Sequence, residues 1–404
     1  MPSRRPAGFI SAFYDPLNNP NAPTIGTATG GDTTASVAFT APSNVGGSAI
    51  SAYYAVSNPG QITSSGASSP VTVTGLSNGT AYTFQVWALN TYGPGPFSAA
   101  SGSATPAAPR GLFAGGYAPF NGSTRTNEIQ YVSIATTGNA IDFGDLTIAR
   151  SDWPAGASSS SRGLFAGGSD GSSLSSIEYV TISSTGNAAN FGNLTTAVYG
   201  LASCSNSTRG VFAGGFTGSG SVNIIQYVTI ASVGNATNFG DLITPTYIIS
   251  GSGSPTRGVF GGGYTTSPTS VIQYITIAST GNAVNFGNLT VSKYGPSSSS
   301  SSTRAVFAAG YQNGVGILSS IDFITIATTG SASNFGNLVT TTEQSASTGS
   351  STRGIFGGLL ANAGPYSNLI QYITFASTGN AVNFGDLTNR PAQLGACSNS
   401  HGGL

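Results

Sequence analysis

Short runs of alternating apolar and polar residues, separated by Gly, Asn and Ser, fill most of this chain. One arrangement recurs. Arg209-Gly-Val-Phe-Ala-Gly-Gly215 is followed by Ile225-Gln-Tyr-Val-Thr-Ile-Ala231 and then by Asn238-Phe-Gly-Asp-Leu242. The leading arginine returns as Arg110, Arg162, Arg209, Arg257, Arg304 and Arg353, at intervals of 52, 47, 48, 47 and 49 residues. A period in the upper forties points to a radial array of small sheets. In Ile225-Gln-Tyr-Val-Thr-Ile230 both faces carry apolar groups, which suits a strand covered on both sides. No sustained 3.6-residue apolar period is present, so helices are not expected.

The spacing within the repeat separates framework from loop. The isoleucine of Ile-x-Tyr/Phe lies 17 residues before the leucine of Phe-Gly-Asp/Asn-Leu in every copy, and that leucine lies 15 residues before the next arginine, 16 once. Length variation therefore falls between the Gly-Gly and the isoleucine, at 117–128, 169–176, 216–224, 264–271, 311–320 and 360–369. Insertions are tolerated where backbone is exposed to water. The Arg-Gly-Val-Phe and Ile-Gln-Tyr-Val segments read as strands, and Ser-Thr-Gly-Asn-Ala reads as a hairpin turn with Gly and Asn at positive φ. Phe-Gly-Asp-Leu lies on a third strand and the segment before each arginine supplies a fourth. Four antiparallel strands per repeat predict a six-bladed β-propeller. No strand precedes Arg110, and the segment Leu394–Ser400 matches the one before Arg209, so these two should pair and close the ring without an open edge. All six variable loops then crown one face.

Residues 21–106 have a different character. Ser36–Pro42, Ile50–Val56 and Val71–Val73 read as short alternating strands. The run Gly75-Leu76-Ser-Asn-Gly79-Thr80-Ala-Tyr82-Thr-Phe84-Gln-Val86-Trp-Ala88 resembles the second half of a fibronectin type III domain, with its tyrosine corner at Tyr82 and inward residues at Phe84, Val86 and Ala88. Phe39 stands where that family usually has tryptophan. Thr105-Pro-Ala-Ala-Pro109 is a stiff linker to a repeat domain over 110–404. Residues 1–20 carry Arg4, Arg5, Phe9, Ile10, Phe13 and Tyr14 on a segment too short for its own core, and read equally as a tail packed on the next domain or as an arm that docks on a partner.

Composition narrows the function. Only 6% of the 404 residues are charged and the formal net charge is zero, which argues against nucleic acid held through phosphates. No apolar run reaches the length of a membrane span. Cys204 and Cys397 occupy the same repeat position in non-adjacent repeats and should remain free thiols. The single histidine, His401, lies in the C-terminal tail, and no metal-ligand cluster, phosphate loop or nucleophile elbow is present. The acid of Phe-Gly-Asp-Leu is Asp145, Asp241 and Asp386 but Asn193, Asn288 and Asn337, so that slot needs a hydrogen-bond acceptor and not a titrating base. No enzymatic activity and no cofactor are expected. The six arginines read as ties between neighbouring repeats, with anion binding as the competing use.

The repeat resembles a divergent kelch motif: a strand ending in Gly-Gly, a later aromatic strand, and a phenylalanine where kelch often has tryptophan. The fuller pattern, behind the Gly-Phe-Ile-Ser-Ala-Phe-Tyr-Asp-Pro-Leu arm and the type III domain, resembles virion structural proteins of marine tailed phages, cyanophages especially. That resemblance implies a virion component, assembled in the host cytoplasm, oligomeric in the particle and docked on other virion proteins through the arm. Tyr117, Phe216, Tyr264 and Tyr311 open four of the variable loops, and Phe120 and Tyr366 lie in two of them. Such rings either cover their own repeat, as loop aromatics often do, or, on a neutral polar face, suit a host surface glycan. The leading expectation is a tail-associated appendage contacting the host. The alternative is a capsid decoration protein whose repeat domain is an inert cap.

Overall fold

A computed structural model describes residues 17–118, 125–343, 345–360 and 366–404. The expected docking arm, with Arg4, Arg5, Phe9, Ile10, Phe13 and Tyr14, lies outside the described residues, as does Phe120. The described residues are all-β, without a helix. The chain divides into two units, Met1–Ala108 and Pro109–Leu404.

The first unit is a sandwich of a three-stranded sheet (Thr24–Gly31, Thr34–Thr40, Val71–Thr74) and a four-stranded sheet (Thr63–Gly66, Ala52–Asn58, Thr83–Asn90, Gly93–Pro94). Alternate residues of these strands point inward, as period-two patterning requires. Val37, Ala55, Phe84, Val86 and Ala88 are fully enclosed, and Phe39 packs on Tyr53 with ring centroids 4.7 Å apart. The Tyr82 hydroxyl accepts a hydrogen bond from the Ser77 amide at 3.1 Å, which is the tyrosine corner that the Leu-x-x-Gly-Thr-x-Tyr run predicts.

The second unit contains six four-stranded antiparallel sheets. In the third, the strands are Ala202–Ser205, Arg209–Ala213, Ile224–Thr229 and Thr237–Asp241, hydrogen-bonded in that order. The segment before each arginine thus belongs to the same sheet as that arginine, as its first strand. The first sheet takes this strand from the far end of the chain: Gly395–Ser398 pairs antiparallel with Arg110–Ala114, Cys397 opposite Leu112. The six first strands, Ala155–Ser158, Ala202–Ser205, Ser250–Gly253, Ser297–Ser300, Ala346–Gly349 and Gly395–Ser398, touch one another in cyclic order, the last returning to the first. They are built of Gly, Ala, Ser, Thr and Cys, small enough for six strands to converge.

Between successive sheets lie six apolar seams. Each takes the phenylalanine of Arg-Gly-x-Phe from one sheet and the residue one place before that phenylalanine in the preceding sheet. Phe212 packs with Leu164, Phe260 with Val211, and Phe113 of the first sheet with Ile355 of the sixth. All six phenylalanines are fully buried. Burial of such a ring contributes roughly 1.5–3 kcal/mol, so these seams drive the assembly.

Polar ties set its register. Each arginine lies over the aromatic ring of its own third strand, 4.3–4.9 Å from the centroid, and donates to a main-chain carbonyl of the next sheet. Arg110 reaches Ile182, Arg162 reaches Ile230, and Arg353 returns to Ile134. A neutral acceptor at a half-exposed site is worth about 1 kcal/mol, so the arginine orients more than it drives. The Asp/Asn side chain takes no part in this tie; Asn193, Asn288 and Asn337 accept from nearby serine hydroxyls of their own sheets.

The hairpin turns also differ from expectation. Positive φ is not placed at Gly-Asn in general; it belongs to the glycine of Phe-Gly, at +143° to +155° in all six copies. The turn docks on the fourth strand of the preceding sheet. Asn282 Oδ1 accepts from the Asp241 amide, and Gly281 and Ala283 donate to the Phe239 and Asp241 carbonyls. A Cβ on Gly240 would stand 2.3 Å from the Gly281 carbonyl oxygen, so only glycine allows this approach. The docked turn covers what would be an open sheet edge.

Candidate functional site

The loops between second and third strands share one face with the connections that lead from each fourth strand to the next first strand. There they pair residue by residue: Tyr199 bridges Phe216, Tyr247 bridges Tyr264, and Tyr294 bridges Tyr311. The six rings form a continuous arc, Tyr199–Phe216–Tyr247–Tyr264–Tyr294–Tyr311, with successive centroids 5.2–5.7 Å apart. Tyr117 and Tyr366 make a separate pair at 5.7 Å. All eight are half-buried. The loop aromatics therefore neither stand free nor fold onto their own sheet alone. Phe216 and Tyr264 each pack between two tyrosines of the connections and Tyr311 packs against one, and the motif pattern does not single out those tyrosines.

The arc is polar at its hydroxyls and apolar at its ring faces. Burial holds the Tyr199, Tyr247 and Tyr294 hydroxyls above their ordinary pKa, with nearby Asp152 adding to the effect at Tyr199 and Glu343 at Tyr294. They remain neutral donors at physiological pH. On the remaining part of the face the paired positions are Ser151 with Ser169, Glu343 with Leu360, and Ala392 with Tyr117, so the arc is one-sided.

Inside the arc five of the connections make a second, narrower arc. Trp153, Gly200, Ile248, Gly295 and Gln393 all have left-handed backbones, with φ from +50° to +64°. Successive connections are linked main chain to main chain: Gly200 donates to Asp152, Ile248 to Gly200, Gly295 to Ile248, and Trp153 to the Gln393 carbonyl. These connections line the mouth of an axial channel. The opposite end is crossed by the chain after Gly395–Ser398. His401, expected merely in a tail, reaches Ser205 at 3.1 Å and the Ser158 carbonyl at 3.0 Å through Nε2, while Nδ1 accepts from the Gly403 amide. Gly402 donates to the Ser300 carbonyl. That bonding requires a neutral imidazole protonated on Nε2. Burial pushes the His401 pKa below its ordinary value.

A further polar slot sits between sheets, in the strand residue after the repeat isoleucine. Gln130, Gln226, Gln273 and Gln371 each accept from the main chain just after the fourth strand of the preceding sheet. The other two copies have Glu178 and Asp322, and only there does the preceding connection carry a buried cation. Arg150 pairs with Glu178, and Lys293 Nζ lies 3.2 Å from Asp322 Oδ2. Cys204 and Cys397 are free and buried, as their spacing predicts. Among the described residues no group of His, Cys, Asp and Glu could hold a metal ion, and no helix is long and apolar enough to cross a membrane.

The fibronectin type III domain family matches residues 20–103, the sandwich described above. No curated protein matches the chain.

Proposed function

We propose that the chain is a non-enzymatic structural and adhesive component of a phage particle, with a type III spacer and a six-bladed, kelch-like β-propeller. The cyclic contacts of the six first strands and the pairing of Gly395–Ser398 with Arg110–Ala114 support the propeller reading. The particle assignment rests on the resemblance of the repeat and of the Gly-Phe-Ile-Ser-Ala-Phe-Tyr-Asp-Pro-Leu segment. The observation that carries the adhesive role is the aromatic arc. Six half-buried rings offer apolar faces and, on the five tyrosines, neutral hydroxyls to a host surface glycan. Many copies on one particle would multiply a weak contact.

The test is adsorption. Particles carrying Tyr117, Phe216, Tyr264 and Tyr311 all changed to alanine should assemble normally and adsorb to host cells at least tenfold more slowly. The same variant should lose signal on an array of host-type neutral glycans. Normal adsorption by that variant would leave the inert decoration cap as the better reading.

A further inference from the structure

We propose that the arginine-bearing end of the six sheets binds an acidic polysaccharide. Each second strand runs from its arginine towards the variable loop, so Arg110, Arg162, Arg209, Arg257, Arg304 and Arg353 all lie at the end away from the aromatic arc. They are six of the chain's twelve basic side chains, and none of them forms an ion pair among the described residues. Nη1 of each donates to a main-chain carbonyl of the next sheet. Nε and Nη2 of all six have no partner among the described residues and keep surface open to solvent. The carbonyl and the stacked ring thus hold each guanidinium in place without neutralising it.

The surroundings do not neutralise it either. The turns before the arginines are 159–161, 206–208, 254–256, 301–303 and 350–352, and the hairpin turns are 135–139, 183–187, 231–235, 278–282, 327–331 and 376–380. None contains Asp or Glu, and Asp142 is the only acid within three residues of any of them. A formal net charge of zero therefore hides a separation of charge along the axis of the sheets. Packed sheets lie roughly 10 Å apart, close to the Debye length of about 10 Å at 0.1 M salt, so the fields of neighbouring guanidiniums overlap. At that spacing a small anion meets one arginine, and one exposed pair changes affinity by at most about fivefold. A polymer with repeated negative charges engages several arginines at once.

The chemistry of the turns selects among polyanions. Most of their residues are Ser, Thr, Asn and Gly, which suit sugar hydroxyls. An open groove of about 340 Å³ lies between the fourth and fifth sheets, with Arg257 in its wall beside Thr256, Ser302 and Ala327. At roughly 30 Å³ per water it has room for about eleven waters, enough for one sugar ring next to the charge. The turns carry no aromatic residue and, apart from Val233, no large aliphatic one, so the anchors of a protein interface are missing. The nearby rings lie under the guanidiniums, which leaves nucleic-acid bases no free face to stack on. This site stands apart from the aromatic arc.

Biolayer interferometry on the full chain tests it, with dextran sulfate and polygalacturonate as probes and unmodified dextran as the neutral control. At least one acidic polymer should bind saturably, and dextran should not. A tenfold rise in salt should raise the apparent Kd at least about tenfold. Ser232→Glu, Ser279→Glu and Thr328→Glu together place carboxylates at exposed turn positions, two residues beyond the Ile230, Ile277 and Ile326 carbonyls that Arg162, Arg209 and Arg257 engage. That variant keeps every arginine, and should lose at least about tenfold in affinity with an unchanged melting temperature. Ser219→Glu, Thr266→Glu and Asn313→Glu change the net charge equally at the loop end and should bind as the parent does. The proposal is overturned by the absence of saturable binding to both acidic polymers, or by equal losses in the two triple variants. Polyglutamate or single-stranded DNA binding as tightly as the polysaccharides would also overturn it, in favour of an acidic protein or a nucleic acid.

Discussion

The Lys293–Asp322 pair gives a quantitative test of how the sheets are joined. Both side chains are fully buried, with Nζ also donating to the Phe307 carbonyl at 3.2 Å and Asp322 Oδ1 accepting from Thr290 at 2.6 Å. Asp322→Asn removes one charge and leaves the lysine in an apolar seam. The penalty is bounded by the cost of deprotonating it, about 4.6 kcal/mol at pH 7 for an amine of ordinary pKa. Lys293→Met orphans the aspartate instead, bounded by protonation at about 4.2 kcal/mol. Direct measurements on broken buried pairs fall at roughly 3–5 kcal/mol, in the same range. The two defects respond oppositely to pH. Where the orphan is neutral in the folded state, Asp322→Asn recovers about 1.4 kcal/mol per unit as pH rises towards 10, and Lys293→Met recovers as pH falls towards 4. The double variant approaches what four other repeats do, a neutral amide facing no cation, and should lie within about 1 kcal/mol of the parent. Calorimetry of the full chain from pH 5 to pH 9 reads all three. Equal losses in single and double variants, or slopes of one sign, would refute the reasoning.

Three further outcomes are expected. Burial raises the Cys397 thiol to about 12 and the Cys204 thiol higher still, so neither should react with Ellman's reagent at pH 8 until denaturant is added, and no disulfide should form. Gly240→Ala should destabilise by about 2 kcal/mol or more by chemical denaturation, because its Cβ meets a carbonyl, whereas Gly281→Ala, with nothing within 4 Å, should cost under about 1 kcal/mol. His401, its pKa depressed in the folded state, contributes fully above the unfolded value of about 6.5; stability should fall as pH drops below that value, by up to about 1.4 kcal/mol per unit, and His401→Gln should remove that slope.

Sequence spacing carried the framework, because every copy must present the same phenylalanine, arginine and Phe-Gly to a neighbour of the same kind. Six noisy examples of one solution make the pattern visible. The site was harder to see. Tyr199, Tyr247 and Tyr294 lie in connections where the other three copies have Ser151, Glu343 and Ala392, so repetition does not flag them. They meet the loop aromatics only after the sheets have assembled. The left-handed series of Trp153, Ile248 and Gln393 has no shared residue type, since it is defined by backbone and not by chemistry. Two signals were present and unread. One was a polar residue, Gln or an acid, inside an otherwise apolar strand. The other was the single lysine of the chain, Lys293, placed one sheet before Asp322. His401 lacked any counterpart in the other repeats, and its position across the channel depends on contacts some 200 residues away.

The joints between sheets are directional, each sheet using one set of groups towards the next sheet and a different set towards the preceding one. The arginine, the amide of the Phe-Gly-Asp segment and the main chain after the fourth strand donate forward, while the hairpin turn accepts from the preceding sheet and also donates back to it, as do the linked connections. The joint between sixth and first sheets repeats the other five. Its two surfaces are therefore complementary to each other and not to themselves, the head-to-tail arrangement that either closes or propagates. A molecule that failed to close would present two unlike surfaces, each fitting the opposite end of a second copy. Such chains would add to one another without limit. Ring closure satisfies both surfaces within one chain, and a circular permutant cut between the first and second strands of any of the other five sheets should fold to the same ring.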